Sequence, residues 1–156
     1  MSSPSSISIP KLRADVGGRV IAPEDAEYDQ ARALFYGGID RHPAAIVRVK
    51  DDMDVVRVVA LARESGLELA VRSGGHSIPG HSVSEGGIVL DLGDMRALDV
   101  DTEGRTAWAQ TGLTALEFTT ACATHGLGIG FATRARSGSA GSRSGAASAT
   151  SSESTA

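Results

Sequence analysis

Residues 44–77, AAIVRVKDDMDVVRVVALARESGLELAVRSGGHS, change hydrophobic period twice. Ala45, Ile46, Val47 and Val49 make a short apolar run behind His42 and Pro43 and read as a strand opening on a proline, where a missing N–H costs little. Val55, Val58, Val59 and Ala62 then recur at helical spacing, with Asp51 or Asp52 placed to cap the first turn and Gly66 to stop the last. Leu67 to Val71 is apolar again and reads as a second strand. Strand, helix and strand within about 30 residues is the length of a βαβ unit, whose two strands run parallel.

Upstream of this unit, Tyr28, Ala31, Leu34 and Phe35 lie at helical spacing behind a proline and acidic residues, which predicts a short helix ended by Gly37 and Gly38. The first residues, MSSPSSISIPKLRADV, read as a flexible lead-in. They lack a charged segment followed by an apolar run, and no stretch approaches the roughly 18 apolar residues of a membrane span, so a cytoplasmic location is expected. Downstream, IVLDL (Ile88 to Leu92) and RTAWAQTG (Arg105 to Gly112) read as strands. Thr114 and Glu117 stand at capping-box spacing, which predicts a helix from there to His125, ended by Gly126. The expected fold class is α+β: a βαβ start with a more antiparallel continuation.

The chain of 156 residues is the size of one ordinary domain. Its formal charge of −4 and isoelectric point near 5.5 argue against nucleic acid or an anionic membrane as principal partner, since both need a basic face, and favour a small molecule. Cys122 is the single cysteine, so no internal disulfide can form; on the predicted helix it reads as a small core residue.

The segment AVRSGGHSIPGHSVSEGG, Ala70 to Gly87, supplies the candidate site. Glycines accept positive φ and let backbone approach a ligand, so successive N–H groups in SGGHS can form a nest for a pyrophosphate. Residue chemistry alone leaves two alternatives open. One is a turn with incidental histidines. The other is a small metal- or phosphate-binding module on His76 and His81, although a metal needs three or four ligands and Pro79 and Gly80 keep the two histidines off one helical face.

The runs RHPAAIVRV (41–49), DVVRVVALARESGLELAVRSGGHSIPGHSVSEGGIVLDLGDMRALDVD (54–101) and AQTGLTALEFTTACATHGLGIGF (109–131) decide among these. Together they resemble the FAD-linked oxidases with a PCMH-type, vanillyl-alcohol-oxidase-like flavin domain, and among them the bacterial relatives of berberine bridge enzyme. The likeness spans about Asp40 to Phe131. It implies that His76 carries FAD through a covalent bond to the flavin 8α-methyl group, while Arg72, Ser73, Gly74, Gly75, Ser77, Gly80 and His81 surround the pyrophosphate. An uncharged imidazole nitrogen is a competent nucleophile for such a link, and a covalently attached flavin is a stronger hydride acceptor. The implied activity is hydride transfer from a small organic substrate, with oxygen reoxidising the flavin. Relatives that add a second link use a cysteine in a later glycine-rich loop, a position Cys122 does not match. No catalytic residue and no metal ligand is assigned.

From Ala132 onward the chain contains no Val, Ile, Leu, Met or aromatic residue. Such composition cannot build core and predicts a low-complexity, disordered tail. The family instead continues with a second glycine-rich flavin loop. Back-translated with permitted codons and shifted by one restored base before Ala132, the tail reads GDTGSVGIGGLSLGGGIGYLVRKYG, which resembles that loop. The expected organisation is therefore an N-terminal segment with a short helix (1–38), an incomplete PCMH-type FAD-binding domain (39–131) and an out-of-frame tail (132–156). On this view the chain is a truncated oxidoreductase; a non-catalytic flavin-binding fragment is the alternative.

Overall fold

The computed structural model describes residues 7–128 and 147–148. The chain divides into two compact units, one ending at Asp94 and the other beginning at Met95.

The first unit holds a four-stranded sheet of β1 (Arg19–Ile21), β2 (Ala45–Arg48), β3 (Leu69–Arg72) and β4 (Ile88–Asp91), in the order β1-β2-β4-β3. Three helices accompany it: α1 (Ile9–Asp15), α2 (Tyr28–Arg32) and α3 (Asp52–Ser65). Every residue of β4 is buried, as expected of a central strand covered on both faces. Ile21, Tyr28, Ile46, Ala70, Val83 and Val89 form an apolar cluster within this unit.

Helix α3 starts and stops where its sequence predicts. The Asp51 carboxylate accepts a hydrogen bond from the Asp54 N–H (2.9 Å), and Gly66 closes the last turn in the left-handed region with φ 66°. Its buried apolar stripe is narrower than the periodicity suggests: Val58 and Ala62 are buried, whereas Val59 is exposed.

Strands β2 and β3 are parallel, as a βαβ unit requires, but they are not neighbours. Strand β4 lies between them and pairs parallel with both. Because β3 and β4 are adjacent and parallel, their connection must return along the length of the sheet, which takes about a dozen residues or more and is usually made by a helix. Here the glycine- and serine-rich residues 73–87 make it without one.

The N-terminal lead-in is a correction to the sequence reading. Residues Ile9–Asp15 form α1, with proline in its first turn, and β1 pairs antiparallel with β2 through Val20↔Val47. Leu12, Val16, Val20 and Ile21 are buried, so this segment belongs to the core. Its elements are too short for a periodicity to emerge. Helix α2 likewise ends at Arg32, leaving Leu34 and Phe35 in the following loop.

Asp54 ties this N-terminal segment to α3. Its buried carboxylate accepts from the N–H groups of Gly17 (2.8 Å) and Lys50 (3.3 Å) and from Arg57 (3.1 Å). Burial alone would raise its pKa, but the hydrogen bonds from Gly17, Lys50 and Arg57 outweigh it and hold the carboxyl below its ordinary value. A depressed folded-state value stabilises the fold above the unfolded pKa, near 3.9, and that stability drains away as pH falls through the folded value. Asp54→Asn should therefore lower the urea midpoint at neutral pH and flatten its decline below about pH 4. An equally steep acid decline in the variant would contradict this account.

In the second unit, β5 (Leu98–Asp101) and β6 (Thr106–Ala109) form an antiparallel hairpin, and α4 spans Ala115–Ala123. Ala107, Phe118, Cys122 and Leu127 make its buried cluster, with Leu98, Val100 and Ala109 packed against it. The predicted capping box is present: the Thr114 hydroxyl accepts from the Glu117 N–H, and the Glu117 carboxylate accepts from the Thr114 N–H (2.9 Å). That backbone bond first, then Arg96 and the Thr114 hydroxyl, pull the Glu117 pKa down to about 2. Strand β5 was not among the expected elements. Of residues 132–156, only Ala147 and Ser148 are described, and they form a short β7 (Ala147–Ser148) antiparallel to β6. The rest of the expected tail lies outside the described residues. Among the described residues, no helix is long and apolar enough to cross a membrane.

Candidate cofactor site

Three apolar strands of the first unit each end in a charged residue: AIVR in β2, LAVR in β3 and IVLD in β4. The parallel register brings those ends into one row, Arg48↔Asp91 and Arg72↔Asp91. Asp91 in the middle is 4% exposed and Arg72 is 6% exposed. The Arg72 guanidinium donates to Asp91 Oδ2 at 2.7 Å, and Asp91 Oδ1 accepts from the Gly93 N–H at 2.9 Å. Burying this pair is tolerable because each charge has a partner and the carboxylate's second oxygen is hydrogen-bonded.

Beside the row opens a cavity of about 260 Å³ whose walls include Arg48, Arg72, Ser73, Gly74, Gly75 and Asp91, with Phe35 and Asp94 also at its lining. The carboxyl ends of parallel strands are where open α/β sheets place their ligands. Of the site residues proposed from sequence, Arg72, Ser73, Gly74 and Gly75 are brought to this cavity; His76, Ser77, Gly80 and His81 lie further along the loop and outside its lining. Gly75 has φ 66°, a conformation that frees the backbone at the cavity wall from Cβ strain.

The loop beyond Gly75 is shaped by specific contacts. The Ser77 carbonyl accepts from the Gly80 N–H (3.0 Å), and its hydroxyl accepts from the His81 N–H (3.0 Å), so Ser77 closes the Ile78–Pro79 turn. Gly80, at φ 78°, sits against Ile39; a Cβ there would come within 2.9 Å of that side chain. Arg41 donates to the carbonyls of Gly80 (3.0 Å) and Val83 (2.9 Å), and the Val83 side chain is buried in the core. The loop is thereby anchored through Gly80 and Val83.

His76 is half-buried, its ring 4.7 Å from that of Phe35 and tilted by 53°. Phe35 meets Tyr36 edge-on at 5.1 Å and is 68% exposed. His81 is exposed. Among the described residues, no three His, Cys, Asp or Glu side chains gather where they could hold a metal. Cys122 is buried in the second unit and burial raises its thiol pKa, which suits a packing residue.

Arg48, Asp91, Arg41 and Phe35 were not among the site residues proposed from sequence, Phe35 having been read only as part of a short helix. The signal for the first two was available: a charge closing an otherwise apolar, fully buried strand is out of place unless it is paired. Arg41 and Phe35 act across a loop, and no local pattern marks them.

The family model for the FAD binding domain matches residues 43–155. The chain belongs to that family. As an FAD-binding-domain protein it is 39% identical over 92 residues to (R)-6-hydroxynicotine oxidase of Paenarthrobacter nicotinovorans, a match over 59% of this chain and 20% of the oxidase. It is 35% identical over 82 residues to berberine bridge enzyme-like 14 of Arabidopsis thaliana, covering 51% of this chain and 16% of that protein. Among solved structures, 6-hydroxy-D-nicotine oxidase from Arthrobacter nicotinovorans superimposes with a TM-score of 0.76 at 33% identity, over 79% of this chain and 27% of the oxidase chain. Physcomitrella patens BBE-like 1 shares the fold, with a TM-score of 0.80 at 24% identity over 86% of this chain and 30% of its own. The FAD-binding-domain chain thus spans a fifth of the (R)-6-hydroxynicotine oxidase sequence. Its mixed α+β fold is that of the flavin domain in these oxidases, and its relatives are FAD-linked oxidoreductases.

The residues at the cavity fit such a group. A diphosphate needs backbone close approach and cationic donors; Gly74 and Gly75 supply the first and the two arginines the second.

Proposed function

We propose that this chain holds FAD at the carboxyl ends of β2, β4 and β3, as the flavin-binding part of an oxidoreductase acting on a small organic substrate with oxygen as acceptor. The observation that carries the reading is the joining of one cavity by the Arg48–Asp91–Arg72 row and the Gly74–Gly75 backbone. Bound flavin would supply the hydride acceptor. Residues 72–75 would hold and orient it, and His76, further along the same loop, would anchor it covalently, its imidazole nitrogen replacing one hydrogen of the flavin methyl group and oxygen taking up the two electrons released. Phe35, resting on the imidazole, restricts the ring positions open to His76.

Yellow colour that stays with acid-precipitated protein tests the covalent part, and flavin fluorescence titration tests binding itself. Precipitated protein that is colourless from a gene of full coding length would overturn the covalent assignment.

Residues 132–156 we read as the product of a shifted frame after one lost base near the Phe131 codon. The family match continues to residue 155 in the frame as written, so the DNA sequence separates the two readings. Resequencing the locus should show the GDTGSVGIGGLSLGGGIGYLVRKYG frame directly downstream; its absence would refute the shift.

A further inference from the structure

The row at the strand ends carries more positive charge than its carboxylate consumes. Asp91 Oδ2 accepts from Arg72 at 2.7 Å, and the same oxygen lies 3.7 Å from Arg48 Nε, too far for a hydrogen bond. Among the described residues Arg48 Nε has no hydrogen-bond partner and is itself buried, although 40% of the Arg48 side chain is exposed. The Arg72 side chain, by contrast, is 7% exposed and its charge is matched. Two guanidiniums therefore share one buried carboxylate at a cavity both of them line, and the one left under-satisfied is the one that reaches solvent. Among the described lining residues the other acidic group is Asp94, which is exposed to water.

We infer that Arg48 is the residue that selects the dinucleotide form of the cofactor: its guanidinium takes an oxygen of the diphosphate, while Asp91, held by Arg72, fixes the direction in which Arg48 points. This inference rests on the flavin reading above and adds to it a residue that decides between FAD and flavins without a diphosphate. A guanidinium can offer two parallel donors to adjacent phosphate oxygens, which a lysine ammonium cannot, and a hydrogen bond between two charged groups is among the stronger polar contacts. Riboflavin has the same ring system and no phosphate. Its binding is indifferent to Arg48.

The test uses the whole chain, wild type and Arg48→Gln, titrated separately with FAD, riboflavin, ADP and inorganic diphosphate, with a thermal melt to establish that each variant is folded. The wild type should bind FAD at least about tenfold more tightly than riboflavin, and R48Q should weaken FAD and ADP by about tenfold while leaving riboflavin unchanged. If R48Q fails to fold, Arg48→Lys carries the test, because it retains the charge and loses the paired donors. R48K should then weaken FAD several-fold with riboflavin unchanged. Inorganic diphosphate bound as tightly as ADP would locate recognition in the phosphates; diphosphate that does not bind while ADP loses nothing in R48Q would overturn the assignment. An unaltered FAD-to-riboflavin ratio in a folded variant overturns the inference and leaves the flavin reading standing. A wild-type chain that binds neither flavin overturns that reading itself.

Discussion

Asp91→Ala should destabilise the first unit by about 3–5 kcal/mol, the usual cost of stripping a buried ion pair of one partner. The loss is large because the carboxylate serves three groups at once: it accepts from Arg72 and the Gly93 N–H and lies in ion-pair range of Arg48. Without it Arg72, which is 6% exposed, keeps its charge in a site with no counter-ion. Since whole domains are stable by only about 5–15 kcal/mol, the alanine variant should be largely unfolded at modest urea concentrations. Asp91→Asn should cost less, because its amide oxygen still accepts one of these bonds. Urea midpoints for the three proteins check this, and an alanine variant within about 1 kcal/mol of wild type would show that the row is solvated and the pair inconsequential.

His76→Ala should abolish covalent flavin entirely while leaving the fold intact. The effect is all-or-none because a methyl side chain has no lone pair to form the bond, and it is mild structurally because His76 is half-buried with one ring contact, to Phe35. The experiment compares acid-precipitated protein from wild type, His76→Ala and His81→Ala, each in the gene as it stands and with one base restored before the Ala132 codon. Colour should persist in His81→Ala and vanish in His76→Ala. Colour that survives in His76→Ala and is lost in His81→Ala would move the anchor to the other histidine of the loop.

Where hydrophobic period and cap chemistry agreed, sequence and structure coincide. Asp51, Gly66 and the Thr114–Glu117 box sit where their side-chain and backbone preferences place them, because caps act within one turn and need no tertiary information. The short N-terminal elements escaped: β1 and α1 are stabilised by Asp54 and by pairing to β2, contacts that span the unit. The same limit applies to the site. Arg72 to Gly75 were legible as a motif, whereas the Arg48–Asp91 pairing exists only through the insertion of β4 between β2 and β3. Val59 shows the converse, an apolar residue at helical spacing that the helix turns outward.

That insertion sets an order of assembly. Strands β2 and β3 precede β4 in the chain and flank α3, yet neither can pair along its inner edge until β4 is in place, which requires residues 73–87 to run back along the sheet. Late, non-local pairing of this kind slows folding. Until it is complete, two strand edges face an empty slot the width of one strand, open to any passing chain with matching apolar residues. A molecule that binds residues 72–75 in the completed sheet favours the state in which β4 fills that place, so the ligand of this domain would hold the slot closed and stabilise the folded state.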